Sequence, residues 1–271
     1  MEHLPSLPIG VFDSGIGGLT VLKALVQALP RESFIYLGDT ARLPYGTKTA
    51  QSVTRYALQT TGHLVQRGIK VLVIACNTAT AVSLPALQSA YPQLPVVGVI
   101  RPGAQAACQV SKNGRIGVIA TESTINGGSY EREILTIRPE AQVFSQPCPL
   151  FVSLAEEGWC TGQVVELVAQ RYLSSFVAQG EMDTLVLGCT HFPVLGEAIR
   201  RVVGSGITLV DSAQTTAEFV QDLLVDNNLA TNNSQGCLYF LATDGAQRFA
   251  RVGGVFMNEG LEPQDIEIVD L

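Results

Sequence analysis

The chain has no Cys-x-x-Cys pair, no cluster of lysines and arginines, and no apolar run approaching the length of a membrane span. Each absence closes a class of function. Without Cys-x-x-Cys, zinc-ribbon and thioredoxin-type sites lose their main support. Six cysteines in 271 residues do not make the disulfide framework of a short secreted domain. Histidine is scarce (His3, His63 and His191), and the Cys189-x-His191 spacing does not suit a standard zinc site, so no metal is expected. A net charge of −7 without a basic cluster argues against a nucleic-acid groove, because phosphate neutralisation needs concentrated positive charge. It does not prevent a small anion from binding locally. The start, Met1-Glu2-His3-Leu4-Pro5, lacks a basic segment followed by an apolar one, so no secretory leader is expected and a cytoplasmic location follows. Charged residues make up only 15% of the chain and hydrophobic ones 46%, the composition of a compact globular protein with no membrane role.

What is present is a phrase that occurs twice. Val71-Leu-Val-Ile-Ala-Cys76-Asn77-Thr78 returns as Thr184-Leu-Val-Leu-Gly-Cys189-Thr190-His191. Each copy is an apolar run of strand type, ending in a cysteine and two small or polar residues. A second pair, Gly10-Val-Phe-Asp13-Ser14 and Gly117-Val-Ile-Ala120-Thr121, repeats in the same order at nearly the same offset, as an internal duplication should. Buried parallel strands all resemble Val/Ile/Leu runs, but the shared cysteine and its polar followers set these copies apart.

Short apolar runs alternate with helix-period segments along the whole chain. Ile9–Phe12, Phe34–Leu37, Val71–Ala75, Val96–Val99, Ile116–Ala120, Gln142–Ser145, Leu185–Leu187, Thr208–Val210 and Leu238–Ala242 read as strands. Leu19, Leu22, Leu25, Val26 and Leu29 mark one helical stripe, and Leu167, Val168, Tyr172 and Phe176 another. The alternation predicts an α/β fold of two similar, pseudo-symmetric lobes, each a mainly parallel sheet flanked by helices, with the active site in the cleft between them. The expected first lobe comprises residues 1–99 and 212–271, and the second residues 100–211, with Ile100-Arg101-Pro102-Gly103 as the crossing. Asn227–Gly236 reads as a surface loop.

Cys76 and Cys189 would lie at strand carboxyl ends, where an α/β protein places its chemistry. A free thiol near pKa 8.5 is only a few per cent thiolate at neutral pH, so both need help, and both immediately precede predicted helices. Asn77, Thr78 and Thr190 can donate to a carboxylate, and Asp13 and His191 can relay protons or orient the thiols. His191 could equally make only a structural hydrogen bond. Asp13-Ser14-Gly15-Ile16-Gly17-Gly18 lacks the third glycine of a dinucleotide fingerprint, having Thr20 there. Its backbone could hold a small anion, or Asp13 or Ser14 could simply cap the helix; the two readings are compatible. In the polar loop after the second strand, Tyr45 and Gly46 could offer hydroxyl and backbone contacts to an amino-acid-sized ligand, and Arg42 reads as a tether. Two thiols on opposite faces of a ligand suit proton removal from one face and delivery to the other, inverting a stereocentre without a cofactor. A pyridoxal route would need a Schiff-base lysine, and none of Lys23, Lys48, Lys70 and Lys112 falls at a predicted strand end. The other four cysteines, Cys108, Cys148, Cys160 and Cys237, read as small buried or inert residues.

Gly10-Val-Phe-Asp-Ser-Gly-Ile-Gly-Gly-Leu-Thr, Gly38-Asp-Thr-Ala-Arg-Leu-Pro-Tyr-Gly-Thr-Lys, Ala75-Cys-Asn-Thr-Ala and Gly188-Cys-Thr-His-Phe-Pro together resemble the glutamate racemases of the aspartate/glutamate racemase superfamily. The resemblance covers essentially the whole chain. It implies cofactor-independent interconversion of L- and D-glutamate, supplying D-glutamate for peptidoglycan. It implies that Cys76 and Cys189 are the acid/base thiols, acting on D- and L-glutamate respectively and assisted by Asp13 and His191. It further implies substrate contacts from Asp13, Ser14, Tyr45, Gly46, Asn77, Thr78, Thr121, Thr124, Thr190 and His191. Glu156 matches an acidic family position near the second cysteine, with Glu157 beside it. A homodimer is a candidate assembly, since family members are often dimers. Arg101, Gly127 and Ser153 depart from residues common in the family. The short stretch before the first strand, without the extension associated with nucleotide-precursor activation in some members, argues against such activation. Rival readings are an aspartate or related acidic amino-acid racemase, a one-cysteine decarboxylase or isomerase of the same fold, a Cys–His hydrolase working through Cys189 alone, and a non-enzymatic binder of acidic amino acids.

Overall fold

The computed structural model describes residues 4–271, so the leader-free start read at Met1-Glu2-His3 lies outside the described residues. In chain order, the first part comprises β1 (Ile9–Asp13), α1 (Leu19–Ala28), β2 (Phe34–Gly38), α2 (Ala50–Gln66), β3 (Val71–Ile74), α3 (Asn77–Ala90) and β4 (Val96–Gly98). The second part comprises α4 (Ile100–Val110), β5 (Arg115–Ala120), α5 (Glu122–Asn126), α6 (Ser129–Ile137), β6 (Gln142–Pro147), α7 (Leu150–Glu156), α8 (Gln163–Gly180), β7 (Thr184–Gly188), α9 (Gly196–Val203) and β8 (Thr208–Asp211). The chain ends with α10 (Ser212–Asp226), β9 (Leu238–Ala242), α11 (Ala246–Met257) and β10 (Ile266–Ile268).

The strands form two parallel sheets, ordered β10-β9-β2-β1-β3-β4 and β6-β5-β7-β8. The duplicated phrases occupy matching places in them. Gly10 of β1 pairs with Leu72 of β3, four residues before Cys76, and Gly117 of β5 pairs with Leu185 of β7, four residues before Cys189. The order β2-β1-β3-β4 is therefore repeated, in register, as β6-β5-β7-β8. The central strands are buried along their whole length because helices cover both faces, which is why their sequences are unbroken apolar runs.

One core packs α1, α10 and α11 on the larger sheet and continues through Phe151 and Phe192 to α8 and α9 on the smaller one. A second lies between the larger sheet and α2 and α3, and a third between the smaller sheet and α4 and α6. Among the described residues, no helix is long and apolar enough to cross a membrane.

One local expectation needs correction. Of the stripe read on α8, Phe176 is buried and Val168 and Tyr172 pack half-buried against the core, but Leu167 is 55% exposed, because the inward face is centred on Val165, Ala169, Leu173 and Phe176. Apolar residues occur nearly all round that helix, so periodicity alone could not choose its inward side. Cys237 is exposed, unlike the buried Cys148. The edge strand β10 went unread, because three residues are too few to show alternation.

Candidate active site

Ser14, Tyr45, Gly46, Cys76, Asn77, Thr78, Thr121, Cys189, Thr190 and His191 line one cavity of about 270 Å³ between the carboxyl ends of the two sheets. Pro149, Leu150, Val152 and Ser153 close it from α7 and the turn before it, a contribution the sequence did not signal. Of the three residues that depart from the family pattern, only Ser153 lines this cavity. Asp13, Thr124 and Glu156 do not line it but stand behind residues that do. Lys48 is exposed and outside the lining.

Cys76 caps α3, accepting the Ala79 N–H at 3.3 Å. Its thiol donates to the Ser14 hydroxyl at 3.5 Å. Burial, reinforced by the negative field of Asp13, pushes this thiol up to about 12, and the contacts from Ser14 and Ala79 only partly oppose that. Cys76 is thus held as a thiol able to give a proton. Asp13 is itself raised by burial, against the positive field of His191 and backbone N–H groups of the following loop. It accepts the Gly15 N–H at 3.0 Å, so the anion-binding turn read after β1 is occupied by the chain's own carboxylate, and Gly18, not Asp13 or Ser14, is the cap position of α1. Oδ1 of Asp13 is buried without a hydrogen-bond partner among the described residues.

The second thiol is supported differently. Contrary to expectation, Cys189 does not directly precede an α-helix; a 3₁₀ turn at Phe192–Leu195 intervenes before α9. Pro193 in that turn has no N–H to extend an α-helical ladder back toward the cysteine. In place of a helix cap, Cys189 has His191, whose Nδ1 lies 3.7 Å from its sulfur. Nε2 of His191 is 3.1 Å from Glu156 Oε1. Glu156 Oε2 accepts from the Arg248 guanidinium at 2.8 Å. Glu157 points to solvent, so the structure places Glu156, rather than its neighbour, on the histidine. Gly17 makes this packing possible: a Cβ there would lie 2.5 Å from the His191 ring and 2.6 Å from the Thr190 hydroxyl.

Burial disfavours charge on His191, but the hydrogen bonds and fields of Cys189 and Glu156 outweigh it and push the imidazole up to about 10. Glu156, despite partial burial, is held below the usual carboxylate range by His191 and Arg248. A histidine with a folded value near 10 against an ordinary 6.5 adds stability that is fully present below about pH 6.5 and lost as pH rises through about 10. The stability advantage of the wild type over His191→Gln, from urea unfolding at pH 6, 8 and 10, is expected to shrink steadily. A difference independent of pH would contradict a charged His191.

Three hydroxyls from both halves meet at one wall of the cavity, Thr78 and Thr121 lining it and Thr124 behind them. Thr78 lies 3.1 Å from Thr121 and 3.2 Å from Thr124, which are 3.1 Å apart. Asn77 accepts from Tyr130 at 2.8 Å, and its amide nitrogen has no partner among the described residues. The Tyr45 hydroxyl is not offered to the cavity as expected: it donates to buried Asp39, which also binds Arg42 and Thr243. Arg42 stacks over Tyr56 and, bound to Asp39, tethers the loop. These contacts fix the loop that brings the backbone around Gly46 against Thr121.

Among the described residues, no group of three or more His, Cys, Asp and Glu side chains is arranged to hold a metal ion. The site therefore offers two thiols in one small cavity, a charged relay behind the second, and neutral hydroxyl and amide donors between them.

Residues 9–220 match the family model described as Asp/Glu/Hydantoin racemase. A glutamate racemase of Geobacter metallireducens is 50% identical over 255 residues, 94% of each chain. The crystal structure of glutamate racemase from Francisella tularensis in complex with D-glutamate superposes with a TM-score of 0.91 at 38% identity, covering 98% of each chain. That of the Escherichia coli enzyme, in complex with L-glutamate and the activator UDP-MurNAc-Ala, gives a TM-score of 0.78 at 30% identity, covering 97% of each.

Proposed function

The chain belongs to the Asp/Glu/Hydantoin racemase family, and on that premise we propose that it interconverts L- and D-glutamate without a cofactor, as an isomerase supplying D-glutamate for peptidoglycan in the cytoplasm. The observation that carries the reading is the pairing of Cys76 and Cys189, at equivalent positions of a repeated sheet, on one amino-acid-sized cavity. One thiol removes the α-proton from one face while the other delivers a proton to the opposite face. The surroundings suit the L-glutamate half-reaction in the ligand-free state. Cys76 is kept as a thiol, ready to donate, and a negative charge on Cys189 has the His191 imidazolium as counter-ion. After the proton transfers the roles are reversed, and D-glutamate finds the complementary form.

Asp13 acts on Cys76 through its field, and Glu156 acts on Cys189 through His191. Ser14, the backbone at Tyr45 and Gly46, and the side chains of Asn77, Thr78, Thr121 and Thr190 supply the hydrogen bonds that orient the substrate's charged ends, with Thr124 holding the Thr78 and Thr121 hydroxyls from behind. Residues 1–99 with 212–271 form the first lobe and residues 100–211 the second, and a homodimer is the candidate assembly. The test is proton NMR of the protein with L-glutamate in D2O, without added cofactor. Loss of the α-proton signal with appearance of D-glutamate in a chiral assay is the expected result. Exchange of aspartate but not glutamate would move the substrate, and exchange of neither by folded, reduced protein would remove the reading.

A further inference from the structure

Glu156 is held at both oxygens, by His191 on Oε1 and by Arg248 on Oε2. The two partners come from different parts of the chain. Glu156 ends α7 and His191 follows β7, both attached to the smaller sheet. Arg248 lies in the first turn of α11, between β9 and β10 of the larger sheet. The same helix also presses Phe256 edge-on against the His191 ring, with centroids 5.4 Å apart. α11 thus touches the relay twice, once at the carboxylate and once at the imidazole.

We propose that Arg248 is a positioning residue for the second thiol, the outer member of a chain Arg248–Glu156–His191–Cys189 that is complete only when the two sheets are in their closed arrangement. This deepens the racemase reading and rests on it. Glu156 has two carboxylate oxygens and, with His191 alone, could rotate to present either or neither. The guanidinium fixes the second oxygen and so fixes the plane of the first. It also keeps Glu156 ionised, which His191 requires in order to remain an imidazolium facing Cys189. Separating the sheets would carry Arg248 away from Glu156 and relax the relay behind Cys189, tying the readiness of that thiol to closure. The other charged groups facing Glu156 are its exposed neighbour Glu157 and Arg251, which lines the same surface groove from α11; neither bonds to it.

The experiment compares Arg248→Met, Arg248→Lys, Glu156→Gln and the Glu156→Gln/Arg248→Met pair, with Arg251→Met as the control for a general loss of charge. Arg248 is 47% exposed at its side chain, so its replacement leaves the core intact. Removing its charge lets Glu156 protonate at higher pH. The acid limb of the pH profile of kcat/KM is expected to move up by on the order of half a pH unit in Arg248→Met, with a loss of roughly threefold to fivefold near neutrality, the size a half-exposed ion pair supports. Arg248→Lys should restore the limb and Arg251→Met should leave it in place. In the Glu156→Gln background, Arg248→Met should cost nothing further. The acid-side inflection of the His191 ring resonance, followed by NMR without substrate, should move with the limb. An unshifted limb and inflection in Arg248→Met, or an equal additional loss in the Glu156→Gln background, would overturn the assignment. If the wild type fails to exchange glutamate, the racemase reading falls, while the NMR inflection still decides whether Arg248 governs Glu156.

Discussion

Cys76→Ala and Cys189→Ala are each expected to lower racemisation in both directions by at least about 10³-fold, within the range that positioned acid–base groups contribute. On the proposed mechanism each thiol is needed in each direction, once as base and once as acid, so no single replacement can spare one enantiomer. The overall equilibrium between enantiomers is also fixed by the substrate, which obliges kcat/KM to fall equally for both. Serine in either position should be nearly as damaging, since its hydroxyl is a far weaker acid than the thiol and its alkoxide is inaccessible at neutral pH. Both cysteines sit at the ends of rigid strands, and removing one sulfur leaves the hydroxyl cluster of Thr78, Thr121 and Thr124 in place. Glutamate should therefore still bind, which isothermal titration against the alanine variants would show. Chiral assays from each enantiomer, alongside thermal melts, separate lost chemistry from lost folding. A hydrolase working through Cys189 would tolerate Cys76→Ala, and a binding protein would tolerate both. Wild-type rates in either variant would end the two-thiol account.

Lys70→Met is expected to produce the largest loss of stability. The Lys70 ammonium is fully buried at 2.5 Å from Glu32 and donates as well to the carbonyls of Pro5 and Leu229, at 2.7 and 2.8 Å. The other oxygen of Glu32 accepts the Thr231 N–H at 2.8 Å. This pair fastens three stretches at the edge of the larger sheet: the entry to β1, the turn before β2 and the loop after α10. Burial pulls Lys70 below its ordinary value, with Glu32 opposing. Deleting the cation strands Glu32 as an uncompensated charge, which costs about 3–5 kcal/mol. At about 2–4 °C per kcal/mol for a domain of this size, the midpoint should fall by roughly 6–20 °C. Lys70→Met combined with Glu32→Leu removes both charges and should recover a large part of the loss. Differential scanning calorimetry of the two variants decides it; a double variant no better than Lys70→Met would mean that the carbonyl contacts, not the charge pair, hold the loops.

The sequence was most legible where the structure is local and repeated. The strands carrying Cys76 and Cys189 announce themselves because burial on both faces demands unbroken apolar runs, and the polar residues after each cysteine mark where the sheet ends. Periodicity gave the face of α1 but only part of that of α8, whose apolar residues wrap round the helix. It was silent on β10, which owes its place to the neighbouring β9. Within the site, position along the chain located the thiols but not their support. The tether role of Arg42 follows from its closeness to Asp39, whereas the diversion of the Tyr45 hydroxyl to the same carboxylate depends on the path of the loop. The link between Arg248 and Glu156 crosses 92 residues and two sheets, and no local pattern encodes it.

The repeated sheet has a consequence for handedness. Duplicating a chain relates its two copies by rotation, whereas L- and D-glutamate are related by reflection. A rotation can bring two sulfurs to opposite faces of one carbon, but it cannot make their surroundings equivalent with respect to an unsymmetrical, three-pronged substrate. The two halves had to part company at the positions next to the thiols. Where β1 ends in Asp13, β5 ends in Ala120, and where Thr78 follows Cys76 by two residues, His191 follows Cys189. One sulfur lies near a buried carboxyl group, the other beside an imidazole. On the proposed mechanism, even-handed chemistry on mirror-image substrates falls to a pocket whose two sides carry different ionisable neighbours.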